Sequence, residues 1–324
     1  MRGARGCTGR EGGAGLTATR TGKKKKLSLW NHGMGWAGFG GDGDNYDGWM
    51  MELDPMVQGI KAGLEQSQAR GGPGKLDILG FDACLQASYA VVATVAPFAA
   101  YIVGSEDLEP GHGWDYRGLK PALADPETFG KALIDQFMEY KTMDWDGEMV
   151  HQHPKTLTLI DAGKWGAASA AVDAVFAKLS EGLQARLKPA LEAHRAAVAG
   201  ASAMMGGFET QAGEHALVDL GGYLAGLAAA AAAGPGCAKL EALAQTAGAA
   251  FAAAKVYERN LGQDQEGNAM GYTGLHGEYM RPLRWEERRT DLNKVYLPKA
   301  KVIKKYGTPP DCEYMQPRRE GAED

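Results

Sequence analysis

Two short apolar runs, each stopping at one chemically versatile side chain, constrain this chain more than any other feature. The first is Leu27 to Trp30, followed by Asn31-His32-Gly33; the second is Leu76 to Phe81, followed by Asp82-Ala83-Cys84. Runs of this kind read as buried strands of a parallel sheet. In open α/β sheets the functional groups gather just beyond the carboxyl ends of the strands. His32 and Cys84 are then delivered to one edge, as a base and a thiol nucleophile need to be.

The pattern around these runs predicts alternating strands and helices. Met56, Val57, Ile60 and Leu64 share a helical face before Gly71-Gly72-Pro73-Gly74 ends that helix. A helical stretch is expected to open at Cys84 and run to about Val95, followed by a strand at Tyr101-Ile102-Val103. Asp125-Pro126-Glu127 starts a further helix by cap and first-turn chemistry, and Thr156 to Ile160 reads as a fourth strand. Such alternation argues for βαβ crossovers and a mainly parallel sheet. From Lys164 to Lys255 the chain is Ala-rich and helical, with a late strand expected within Tyr272 to Met280. The organisation expected is a tail over 1–22, a catalytic core over 23–162, a helical subdomain over 163–283 that returns one strand to the core, and a polar tail over 284–324.

Composition narrows the function classes. The 324 residues are 44% hydrophobic and 23% charged, as in soluble globular proteins, and the net charge of −5 gives no reason to expect nucleic acid or an anionic membrane as partner. Lys23 to Lys26 lack interleaved aromatics and read as a solvated run. Cys7, Cys84, Cys237 and Cys312 are too scattered for a disulfide framework or zinc knuckle. Met1 to Gly22 lacks the apolar segment of a secretory signal, and Leu224 to Ala233 is too short to span a bilayer. No compartment is assigned.

Cys84 at a strand-to-helix junction would have a helix N-terminus beside it, which favours the thiolate. The bland alternative is a small buried hydrophobe. His32 would manage the thiol proton and protonate the departing amine, and Gly33 lets backbone approach a substrate closely. Asp42, Asp44, Asn45 and Asp47 suggest calcium, but the glycine that should follow the fifth position of a calcium loop is misplaced, and Asp-Gly turns explain them as well. His151-Gln152-His153 is too local for a metal site.

Trp30-Asn31-His32-Gly33, then Gly80-Phe81-Asp82-Ala83-Cys84-Leu85, then Ser105-Glu106-Asp107 with Pro110 to Tyr116, resembles the clostripain family of cysteine peptidases, in the caspase, legumain and gingipain clan. The separation of 84 − 32 = 52 residues agrees with the roughly 50 that separate histidine from cysteine in caspases. The resemblance implies a caspase-like sheet flanked by helices and cleavage after Arg or Lys through a thioester acyl-enzyme. Gly33 and Cys84 amides would hold the oxyanion, and Asp82 and Asp107 would receive the basic side chain. No organic cofactor is implied; some relatives use calcium. Self-processing after a basic residue is also implied, with Lys141 and Lys155 among the candidates. In the clan, strands precede the histidine strand, whereas about 26 residues precede Leu27, so either an incomplete chain or an exposed sheet edge is expected. The alternatives are a catalytically inactive module that binds basic peptides, and a transpeptidase or amidase on the same scaffold.

Overall fold

The computed structural model describes residues 25–41, 51–117, 119, 125–185, 187–202, 217–263, 267 and 269–278. The calcium-suggestive loop residues 42–47 and both tails lie outside them.

Strand β1 (Lys26–Trp30) is followed by α1 (Leu53–Ala69), β2 (Leu76–Asp82), α2 (Tyr89–Val95) and β3 (Ala99–Gly104). Then come α3 (Pro126–Glu139), a hairpin of β4 (Thr142–Met143) and β5 (Met149–Val150), and β6 (Thr156–Asp161). The second half holds α4 (Ala162–Gln184), α5 (Lys188–Gly200), β7 (Leu217–Asp219), α6 (Leu220–Ala233), α7 (Ala238–Ala254), β8 (Lys255–Asn260) and β9 (His276–Glu278). The central sheet has the order β1-β2-β3-β6-β8, with β1 at one edge among the described residues. Strands β1, β2 and β3 are parallel, while β6 is antiparallel to both β3 and β8, so four of the five strands run one way.

Alternation along each strand feeds two apolar layers. Leu79, Phe81, Ile102 and Ile160 face the layer formed with α1, α2 and α4 to α7. Ile78, Val103, Leu157 and Leu159 face α3, where Phe129, Leu133, Ile134 and Phe137 complete the second layer. Each of these side chains contributes about 1.5–3 kcal/mol by leaving water. The caps are local and chemical: Asp125 Oδ2 accepts from Thr128 N–H at 2.8 Å, with Pro126 in the first turn. The ammonium of Lys155, fully buried, donates to the carbonyls of Phe137 and Tyr140 at the end of α3.

The fourth strand lies at Thr156 as expected and the sheet is mainly parallel; β6 enters beside the end of β3, with Gly104 opposite Thr158, and so runs against the other four. One expectation is corrected. The strand that joins the sheet late is β8, at the end of the helical stretch, whereas β9 pairs with β7 in a separate ladder.

The segment leading into β9 is tied down by three acids. Tyr272 OH donates to Asp107 Oδ2 at 3.0 Å. Thr273 N–H and Oγ1–H both donate to Asp219 Oδ2 at 2.7 Å. Gly274 N–H donates to Glu106 Oε2 at 2.7 Å. Glu106 is fully buried; burial first, then the neighbouring Asp219 charge, hold its pKa well above the ordinary value. The folded chain therefore keeps a proton that the unfolded chain releases near pH 4.5. Stability from this group is complete below that pH and is lost as pH rises through the raised folded value. Urea unfolding across pH should show this loss in wild type. Glu106→Gln, which keeps the acceptor and cannot ionise, should flatten the profile by up to about 1.4 kcal/mol per pH unit. Parallel profiles would contradict the assignment.

Candidate active site

The site is assembled by strand register. Along the β1–β2 ladder Trp30 lies opposite Asp82, an offset of 82 − 30 = 52, the same as that between His32 and Cys84. Both residues therefore leave the sheet two positions past a paired strand end, on the same side. Asn31 N–H still reaches Asp82 O at 3.4 Å, so the two chains stay side by side as they turn out of the sheet.

Gly33 is where the two loops touch. A Cβ placed there would stand 2.1 Å from Cys84 O and 2.7 Å from Gln86 Nε2, so no side chain fits. Gln86, fully buried, crosses between the loops and donates from Nε2 to Gly38 O at 3.1 Å. His32 is exposed at the loop surface; its N–H donates to Asn31 Oδ1 at 2.6 Å and its carbonyl accepts from Gly40 N–H at 2.8 Å. The imidazole is thus carried on a short backbone ring rather than packed in the core.

Cys84 is partly buried, and its Sγ accepts from Glu109 N–H at 3.2 Å. Burial pushes the thiol pKa up, and the charges of Glu109 and Asp107 add to that, against the lowering effect of the Glu109 N–H bond. The expected helix N-terminus is not beside it. Helix α2 begins at Tyr89, where Ser88 Oγ accepts from Val91 N–H at 3.1 Å, and Leu85 turns the chain with φ of 61°. A non-glycine residue in that region costs on the order of 1–3 kcal/mol. The thiol therefore sits in a turn with acids around it and no dipole to favour its ionised form.

The acids are arranged in two groups. Asp82 is buried and its carboxylate accepts from Trp114 N–H at 3.0 and 3.1 Å and from Tyr116 OH at 2.9 Å. Glu109 lies against it, with Oε1 accepting from Trp114 Nε1–H at 3.0 Å. Burial raises both carboxyls, and the Asp82 charge raises Glu109 further. Asp107 is fully buried with its carboxylate turned toward Leu108 N–H (2.8 Å) and Tyr272 OH (3.0 Å). Sequence reasoning had not assigned Glu109, Gln86, Tyr272 or His276 to the site. Glu109 was legible only as one acid in a cluster, and the others carry no local signal.

Among the described residues no cluster of His, Cys, Asp or Glu is placed to hold a metal ion, and no helix is long and apolar enough to cross a membrane. Lys155, one candidate for self-processing, is interior, whereas Lys141 is exposed.

A sequence model of the clostripain family matches residues 18–231. No curated protein matches the chain. Among solved structures, an inactive zymogen C11 protease from Parabacteroides distasonis superposes with a TM-score of 0.53 at 17% identity, over 84% of this chain and 69% of that one. A secreted C11 cysteine protease from Bacteroides thetaiotaomicron, in complex with an irreversible peptide inhibitor, gives 0.53 at 15% identity, over 85% and 72%. A clostripain from the same organism, in complex with a peptide inhibitor, gives 0.50 at 14% identity, over 80% and 99%. These likenesses show the fold.

Two outcomes follow from the geometry. Alkylation of Cys84 by iodoacetamide, followed by mass spectrometry of its peptide, should be slow at neutral pH and rise through a pKa above the ordinary cysteine value of about 8.5. Glu109→Gln should move that rise to lower pH; an unchanged profile would contradict a charge effect from Glu109. Gly33→Ala forces the backbone away from Cys84 O and should cost about 1–3 kcal/mol of stability by thermal unfolding.

Proposed function

Because the chain belongs to the clostripain family of cysteine peptidases, we propose that it cleaves peptide bonds after Arg or Lys with Cys84 as nucleophile and His32 as its acid–base partner. The observation that carries this reading is the contact of Gly33 with the Cys84 backbone, which fixes the histidine loop against the nucleophile turn. The Cys84 thiol gives its proton to His32, and the sulfur attacks the scissile carbonyl carbon. The carbonyl electron pair moves to oxygen, where the Cys84 and Gly33 N–H groups stabilise it; losing one such donor typically costs roughly 100- to 1,000-fold in rate. The C–N bond breaks as the proton on His32 passes to the departing amine. Water, deprotonated by His32, then hydrolyses the thioester and the thiol is restored.

The preference for a cation rests on the acids around the sulfur. Asp82, hydrogen-bonded to Tyr116 and beside Glu109, supplies a partly dry carboxylate that suits a guanidinium better than an ammonium. Asp107 acts from behind the nucleophile turn, through its charge and its hold on Tyr272. A cationic side chain arriving here offsets the negative charge that keeps the Cys84 thiol protonated. Substrate binding and thiol activation are therefore coupled, and an uncharged side chain leaves the nucleophile in its less reactive form.

The test is fluorophore release from short peptides ending in Arg, Lys, Asp or Leu, with wild type and Cys84→Ala, with and without calcium and a thiol reductant. Release after Arg or Lys that disappears in Cys84→Ala is the expected result, with Arg faster than Lys. Asp82→Asn should lower kcat/KM for Arg peptides by about 100-fold, the scale of a charge-assisted bidentate contact of about 3 kcal/mol. Cleavage after Leu or Asp would keep Cys84 and overturn the pocket. Silence from folded protein would favour a binding module.

A further inference from the structure

The turn that carries the nucleophile holds a backbone conformation that something must secure. Leu85 is the only described non-glycine residue with positive φ, at 61°. Two hydrogen bonds hold it from opposite sides. Its N–H donates to Asp107 O at 3.0 Å, and its carbonyl accepts from His276 Nε2 at 2.9 Å. The partner of that carbonyl comes from 191 positions further along the chain. His276 also donates its backbone N–H to Ala87 O at 3.1 Å, so it grips the turn at two points.

The same imidazole reaches the other loop. Gly35, three residues after His32, has φ of 56°, and a Cβ there would stand 3.3 Å from His276 Cε1 and 3.2 Å from Leu85 O. One fully buried ring therefore fills the space between the histidine loop and the nucleophile turn. Its own position is fixed by the segment before it, through Tyr272 to Asp107, Thr273 to Asp219, Gly274 to Glu106, and Leu220 N–H to Leu275 O at 2.9 Å. A carbonyl oxygen only accepts, so Nε2 carries the proton in the bond to Leu85.

We propose that His276 is a positioning residue for peptide cleavage: its Nε2–H bond to the Leu85 carbonyl holds the left-handed turn that aims Cys84 at the loop bearing His32 and Gly33. The proposal rests on the reading of Cys84 as the nucleophile of a peptidase. His276 acts through the turn and touches neither substrate nor the reacting sulfur. Small displacements of a nucleophile are costly, with about 1 Å capable of a 100-fold loss.

The experiment compares kcat, KM and thermal midpoint for wild type, Cys84→Ala, His276→Gln and His276→Phe on an Arg peptide. Glutamine presents an N–H at nearly the reach of Nε2, while phenylalanine fills the same space without a donor. His276→Phe should lower kcat by about 100-fold with KM changed less than about threefold, and His276→Gln should recover most of that loss. Equal losses in the two variants, tracking a fall in thermal midpoint, would overturn the proposal, as would wild-type kcat in His276→Phe. In the wild-type protein, nitrogen NMR of the imidazole should show Nε2 protonated; a proton on Nδ1 alone would overturn it without any variant. Inactive wild type, or equal activity in Cys84→Ala, would mark failure of the peptidase reading instead and take the positioning role with it.

Discussion

The parallel register of β1 against β2 sets Trp30 beside Asp82, and everything at the site inherits that offset. The two loops that leave the sheet at matched positions are held together by close backbone approach and by one buried side chain. Gly33 allows the histidine loop to lie directly on the Cys84 carbonyl, Gln86 spans from the nucleophile turn to Gly38, and Asn31 keeps contact with the end of β2. His32 stands on an exposed loop, while Cys84 sits in a half-buried turn backed by the core.

The electrostatics of the turn run against an always-ready nucleophile. No helix end adjoins the thiol, burial disfavours its anion, and Glu109 and Asp107 disfavour it further. Under the proposed cleavage after Arg or Lys, an arriving cation would offset this restraint and link selectivity to reactivity in one set of groups. The same acids also organise the fold. Asp107 and Glu106 reach from the end of β3 to the segment before β9, and Asp82 secures Trp114 and Tyr116. A substitution at any of them is expected to act on stability and on the site together, so paired measurements are needed to separate the two.

Local patterning carried the two strands, the glycine after the histidine, the cap at Asp125 and the helical second half, because each depends on neighbours within a few residues. The direction of β6 depends on where a fifty-residue connection returns to the sheet, and no short window holds that information. The strand β8 follows α7 without a break, so its Lys255-Val256-Tyr257 start reads as the tail of an Ala-rich helix. The delayed start of α2 was hidden because a left-handed leucine is unexpected from sequence; it is sustained by His276 and Asp107, which lie far away or beyond the next strand. The full burial of Glu106 and Asp107 is not legible locally, because sequence shows their charge and not the residues that later cover them. Legibility at the site therefore ended where side chains from distant segments take over from strand register.

The most direct test of the account is the location of a covalent adduct. Folded protein would be treated with a peptide electrophile that carries lysine next to its reactive group, and the modified residue mapped by mass spectrometry. One adduct per chain, on Cys84, which is lost with His32→Ala or when free arginine competes, is the predicted result. Modification of Cys237 or another cysteine with Cys84 intact, or labelling of Cys84 indifferent to both His32 and the cation, would contradict it.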